Sequence, residues 1–305
     1  MERILKLCKW TVLSLLPLLL VALLLLGYFA LNAVEREPLV IFAGGGSVKN
    51  YIDSVKNVKI DKETFPNSVY INLPSGYVPT LLKEEIERFK KEIYDNHSFL
   101  YICLSAEKID SIENKNANAR VFEDSIGVDS LVVYFYMTAN DIKNNGAISV
   151  SELDSILNLN KDTVYATSRK SGTYNAYFNA FKKNPVSAKD TSLINNAKLF
   201  FEEDSIPKKG IILSSQYYPP KRLDRKNYKC VYIKKGEKDS ILTKPLYVYF
   251  VAYEKDGKFV PNTQILEFLN MIHDCAVSKE NWEEWVENKK SSEKKVPIKI
   301  NSLWK

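Results

Sequence analysis

The sequence predicts an α/β fold of two lobes carrying a largely parallel sheet. Two observations lead there. Apolar strand-like runs alternate with helical apolar spacing along most of the 305 residues, the pattern of strands joined through helices. Several of the strands also end in short turns built from glycine and serine. Residues 34–305 are more than one core needs and natural for two lobes.

In chain order, Leu39–Phe42 forms a compact strand, and Ala43–Ser47 is a glycine turn. Val48, Tyr51, Ile52 and Val55 then follow at helical spacing. Ser68–Leu73 is a second strand with a Pro74-Ser75-Gly76 turn. A helix runs from near Pro79 to Phe89 or beyond, with Leu82, Ile86, Phe89 and Ile93 on one face. Phe99–Leu104 is a third strand, ending in Ser105-Ala106-Glu107. Leu131–Met137 is a strongly buried strand, and Ile148–Leu153 supplies an N-cap and a helix through Leu157. Val164–Ala166 closes a strand before the turn Arg169–Thr173, and the helix from Tyr174 carries Tyr177, Phe178 and Phe181. Ser192–Phe201 has helical character, Lys209–Ser214 is a strand and Gln216–Arg225 a loop. Pro245–Tyr253 is a long strand, and Asn262–Ala276 is an amphipathic helix with Ile265, Phe268, Leu269 and Ile272 together. Residues 287–295 form a solvated tail, and 296–303 a last short strand. There is no internal repeat.

The N-terminus adds a third element. Residues 11–33 hold no charge and are long enough to span a bilayer as a helix. Arg3, Lys6 and Lys9 precede them, which puts residues 1–10 in the cytoplasm and 34–305 outside. Leu31-Asn32-Ala33 is a poor cleavage site for a signal peptide, so an uncleaved single-pass anchor in the cell membrane is expected. Cys8 lies ahead of the apolar run, where no lipoprotein cysteine sits. Cys103 reads as a small buried hydrophobe, whereas Cys230 and Cys275 are free to pair or not in an oxidising compartment.

Several function classes drop out. Net charge is +6 with 26% charged residues, and no basic stripe interleaves with aromatics, which argues against nucleic acid. The two histidines, His97 and His273, lack metal-ligand spacing, and no catalytic Ser-His-Asp set or Walker loop is present. Glu152, Asp154, Glu283 and Glu284 read as solvated helix carboxylates, so no enzyme and no cofactor are expected.

What remains is anion binding. A strand that turns through Ser171-Gly172-Thr173 into a helix leaves amide donors at the positive end of the helix dipole, and Arg169 adds a cationic fork. An ordinary N-cap is the bland alternative. Gly46, Ser47, Ser75, Gly76 and Ser105 occupy comparable turns, and in open α/β sheets such turns gather at one crevice.

The order of these segments resembles the phosphate-type substrate-binding proteins of ABC transporters, which have the type 2 periplasmic binding protein fold. The similarity runs from Leu39 to about Leu303. AGGGSV (43–48) resembles that family's glycine-rich ligand turn, ISVSELDSILN (148–158) its helix start, TSRKSGTYNAYF (167–178) its arginine-plus-SGT turn, and ILTKPLYVYFVA (241–252) its hinge-crossing strand. The resemblance implies two hinge crossings, with lobe 1 at about 39–131 plus 246–305 and lobe 2 at about 132–245. It implies an oxyanion, phosphate foremost, held by Ser47, the Val48 N–H, Ser75, Arg169, Ser171, Gly172 and Thr173, and an ABC permease or other inner-membrane protein as partner. Three departures stand out. Ala106 replaces the Asp that follows the family's ligand serine, leaving Glu107 as the only nearby proton acceptor. The Arg169–Ser171 spacing is short, and this chain carries an anchor. The second expectation is therefore a degenerate binding fold serving as a sensory or protein-interaction module.

Overall fold

The computed structural model describes residues 38–89, 98–109, 112, 118–136, 146–159, 164–167, 169–182, 210–219, 228–235, 240–275, 278, 281–282 and 284–285. The expected anchor 11–33, the helix 192–201 and the tail beyond 286 lie outside them. Among the described residues no helix is long and apolar enough to cross a membrane.

Two sheets are built on two long strands. In the first, β1 (Leu39–Gly44) lies between β2 (Ser68–Asn72) and β3 (Phe99–Ser105), parallel to both. β3 then pairs antiparallel with β9 (Thr243–Lys255), which pairs antiparallel with the first part of β4 (Ala119–Tyr136). In the second sheet the last part of β4 pairs antiparallel with β7 (Ile211–Ser215) and β8 (Tyr228–Lys234). β6 (Val164–Ala166) joins β7 in parallel, and β5 (Ala147–Ser149) joins β8 in parallel. The sheets are thus mixed rather than largely parallel. Antiparallel pairing enters through β4 and β9, because one strand leaves the first lobe and the other brings the chain back.

The changeover is sharp. Ser130 still faces Thr243 in the first sheet, and Leu131 already faces Ser215 in the second. A β-bulge between Ser125 and Gly127 bends β4 just before this point. Gly127 has φ +154°, which strains any residue with a Cβ, and the Tyr51 hydroxyl lies 2.2 Å from where that Cβ would be. Beyond β9, Asp256 and Gly257 both adopt positive φ, the type I′ geometry that turns the chain directly into β10 (Lys258–Val260).

Each sheet buries its own core. In the first lobe, α1 (Gly46–Val55) and α5 (Thr263–His273) pack Val48, Ile52, Phe268 and Leu269 against Phe42, Ile102 and Phe250. On the opposite face α2 (Val78–Phe89) places Val78, Leu82 and Ile86, one per turn, against Cys103, Tyr249 and Val251. In the second lobe α3 (Val150–Leu159) and α4 (Gly172–Phe181) bury Leu153, Tyr177 and Phe181 against Leu131, Val133 and Leu213. α3 starts in a capping box: Glu152 N–H donates to Ser149 Oγ at 3.2 Å, and Ser149 N–H donates to Glu152 Oε2 at 2.9 Å. Cys103, Cys230 and Cys275 are free thiols. Cys230 belongs to the second lobe and Cys275 packs on the core of the first, so they do not pair here.

Candidate binding site at the seam between the lobes

The turns singled out in the sequence all reach one seam. β1 is followed by Gly45, the N-cap of α1, whose extended backbone (φ −70°, ψ 135°) swings the chain into the helix. A Cβ at Gly45 would lie 3.9 Å from Ser75 Oγ, in the turn after β2. Ser75 is buried, and its Oγ accepts a hydrogen bond from Ala106 N–H at 2.9 Å, in the turn after β3. Ala106 O in turn faces Gly172 of the second lobe, where a Cβ would approach to 2.5 Å. The first turns of α1 and α4 therefore come from opposite lobes to the same polar strip, and the leading amides of each have no carbonyl one turn earlier to bond.

The seam is closed by direct contacts. Gly76 N–H donates to Lys170 O at 2.9 Å, and Lys170 Nζ reaches Tyr77 OH at 3.2 Å and lies 4.4 Å from its ring centre. Asn175, in the first turn of α4, donates through Nδ2 to Glu107 Oε2 at 2.6 Å. The Tyr218 ring covers Gly46, where a Cβ would meet it at 2.3 Å.

Several expected ligand donors are spent within the protein. Val48 N–H bonds Gly45 O at 3.1 Å, inside the first turn of α1. Ser105 Oγ donates to Glu107 O at 2.8 Å and accepts from Glu107 N–H at 3.3 Å, a local turn. Ser171 is the N-cap of α4, its Oγ accepting from Tyr174 N–H at 3.1 Å and lying 2.6 Å from Thr167 Oγ1. Thr173 is buried behind it. Arg169 is exposed, and its positive charge acts to lower the Tyr174 pKa that burial raises.

The cation inside the seam is one that sequence reasoning missed. Lys244, at the start of β9, is fully buried; its Nζ donates to Ser47 Oγ at 2.8 Å and stands 3.1 Å from Asp129 Oδ2 on β4. Asp129 Oδ1 also accepts from Tyr217 N–H at 3.2 Å, and Tyr217 O accepts from Asn50 Nδ2 at 2.8 Å. Burial pulls the Lys244 ammonium below its ordinary pKa, while Asp129 and, more weakly, Glu107 push it back up. Its sequence signal was slight: one lysine ahead of the Pro245-Leu246-Tyr247 run. Among the described residues no three His, Cys, Asp or Glu side chains gather as a metal site would need.

Two mixed α/β lobes joined by two crossing strands are consistent with a fold of the type 2 periplasmic-binding-protein-like class. No family model matches the sequence, and no curated protein matches it. Among solved structures, a point mutant of full-length BenM is similar with a TM-score of 0.53 at 12% identity, over 85% of this chain and 74% of that one. An ABC-type phosphate transport receptor from Vibrio cholerae is similar with a TM-score of 0.45 at 13% identity, over 82% and 97%. A possible phosphate binding protein from Planctomyces limnophilus DSM 3776 follows with 0.38 at 14%, over 69% and 80%. At these identities the likeness speaks for the fold alone.

Proposed function

We propose that the chain is a membrane-anchored, extracytoplasmic binding module for a small oxyanion, phosphate foremost, that works by opening and closing its lobes in ABC-type uptake. The observation that carries this reading is the meeting of two helix N-termini, α1 from one lobe and α4 from the other, at one buried polar strip. Amides at both ends of that strip suit an anion, and an ion bound there would couple to lobe closure. The uncharged run 11–33 supplies the anchor, and a permease or other inner-membrane protein is the partner this role needs. The purified full chain in detergent tests it. Titration with phosphate, sulfate and molybdate should give heat, and a saturating ligand at a hundred times its Kd should add about 2.7 kcal/mol of stability. Neither heat nor stabilisation with any of the three would sink the reading.

A second reading has its own support. Gly76 N–H, Glu107 and Asn175 are bonded lobe to lobe, as suits a sensory or protein-interaction module built on a degenerate binding fold. Capture of a membrane partner without ligand, unchanged by Arg169→Ala with Ser171→Ala, would favour it.

A further inference from the structure

We propose that Lys244, rather than Arg169, is the cation that holds the anion, at the hinge end of the seam together with the Ser47 hydroxyl and the leading amides of α1. This rests on the oxyanion reading above and sharpens it to one spot.

The argument begins from hydrogen-bond capacity. An ammonium carries three N–H donors. Ser47 Oγ takes one, and Asp129 Oδ2 stands 3.1 Å away without completing a hydrogen bond, so among the described residues the ammonium has donor capacity to spare. Ser47 Oγ spends a lone pair on Lys244, which leaves its own hydrogen to give. Gly46 and Ser47 open α1, a ten-residue helix, so their amides point the same way. Tyr217 N–H fixes Asp129 through Oδ1, while Oδ2 keeps its place beside the ammonium. Asp129 already compensates the buried charge; what an oxyanion would take is the spare ammonium hydrogen and the Ser47 hydroxyl together. Arg169, by contrast, is exposed.

Position makes the assignment useful. Lys244 and Asp129 sit on the two crossing strands, and Ser47 sits on the first lobe. Tyr218, from the second lobe, covers Gly46. An anion would reach Lys244 when the 216–219 segment lifts, and would bridge the hinge to α1 once there.

The test uses the full chain in detergent with inorganic phosphate and sulfate, read by calorimetry and by melting temperature. Lys244→Met with Asp129→Leu removes both buried charges, so neither is stranded and the fold survives. This pair should weaken phosphate binding about a hundredfold, the scale of a charge-assisted contact, and Arg169→Met should cost much less. Asp129→Asn removes the competing carboxylate and should tighten binding about tenfold, a gain no purely structural role would give. A double variant that binds like the parent, or an Asp129→Asn variant that binds more weakly, overturns the Lys244 assignment while leaving the oxyanion reading standing. A parent chain that binds neither ion overturns both.

Discussion

Asn175 Nδ2 donates to Glu107 Oε2 at 2.6 Å, joining the first turn of α4 in one lobe to the turn after β3 in the other. Glu107 stands one residue beyond the place where the resembled family keeps an aspartate, so its carboxylate closes the lobes in addition to any part in reading a ligand proton. Hydrogen bonds to a charged group contribute about 1.5–3 kcal/mol, and half-burial puts this one near the lower end. Asn175→Ala should therefore shift the open-to-closed balance about tenfold towards open. Nitroxide labels on Lys83→Cys and Asn158→Cys, on the exposed faces of α2 and α3, would report a longer mean distance. An unchanged distance would mean that the contact does not hold the lobes.

Gly172 offers a steric test of the same closure. Its Cβ position lies 2.5 Å from Ala106 O and 2.6 Å from the carbonyl carbon, and backbone cannot swing aside as a side chain can. Helix propensity alone favours alanine over glycine by about 1 kcal/mol. Gly172→Ala should nevertheless lower the melting temperature and part the labels, because the lobes must separate to admit the methyl group. A higher melting temperature with unchanged label distance would contradict the seam packing described here.

Ser171 separates capping from ligand contact. Ser171→Ala removes the acceptor for Tyr174 N–H and should cost about 1 kcal/mol of stability, typical of a lost N-cap. Ser171→Asp keeps an acceptor in place and adds a negative charge at the start of α4. Its melting temperature should stay near the parent's, while phosphate binding falls at least tenfold by like-charge repulsion. Equal phosphate affinity in the parent and in Ser171→Asp would place the anion away from α4.

The elements that were legible in the sequence are those whose apolar pattern stands by itself. Leu39–Phe42, Phe99–Leu104 and Pro245–Tyr253 are near-continuous apolar runs because helices cover both faces of their sheet. The first half of β4 was not legible, since it carries Arg120, Glu123, Asp124 and Asp129. The three carboxylates meet partners far away in the chain, Glu123 the Tyr249 hydroxyl, Asp124 His273 and Asp129 Lys244, while Arg120 lies over the neighbouring Phe122 ring. The Asp256-Gly257 pair carries its own local hairpin signal. Within the site, sequence found the turns because glycine and serine mark them locally. It could not find Lys244, whose burial depends on Asp129 far back in the chain.

Glu85 gives the pH dependence a definite sign. It is fully buried on the inner face of α2, its Oε1 accepting from Tyr101 N–H at 3.2 Å and from Tyr253 OH at 3.3 Å, while Oε2 has no partner among the described residues. Desolvation raises its pKa from 4.5 to about 7, outweighing the hydrogen bonds and the nearby Arg88, which act downward. Between those two values the folded chain holds a proton that the unfolded chain has released. The associated stability is full below pH 4.5 and is lost as the pH rises through 7. The loss is on the order of 3 kcal/mol, from a shift of that size at 1.36 kcal/mol per unit. Glu85→Gln keeps the acceptor for Tyr101 N–H and cannot ionise. Denaturant unfolding of parent and variant from pH 4.5 to 8 should show the parent losing stability relative to Glu85→Gln as pH rises, with most of the divergence complete near pH 8. Parallel curves would show that Glu85 ionises in the folded state as readily as in the unfolded one, and that water reaches it beneath α2.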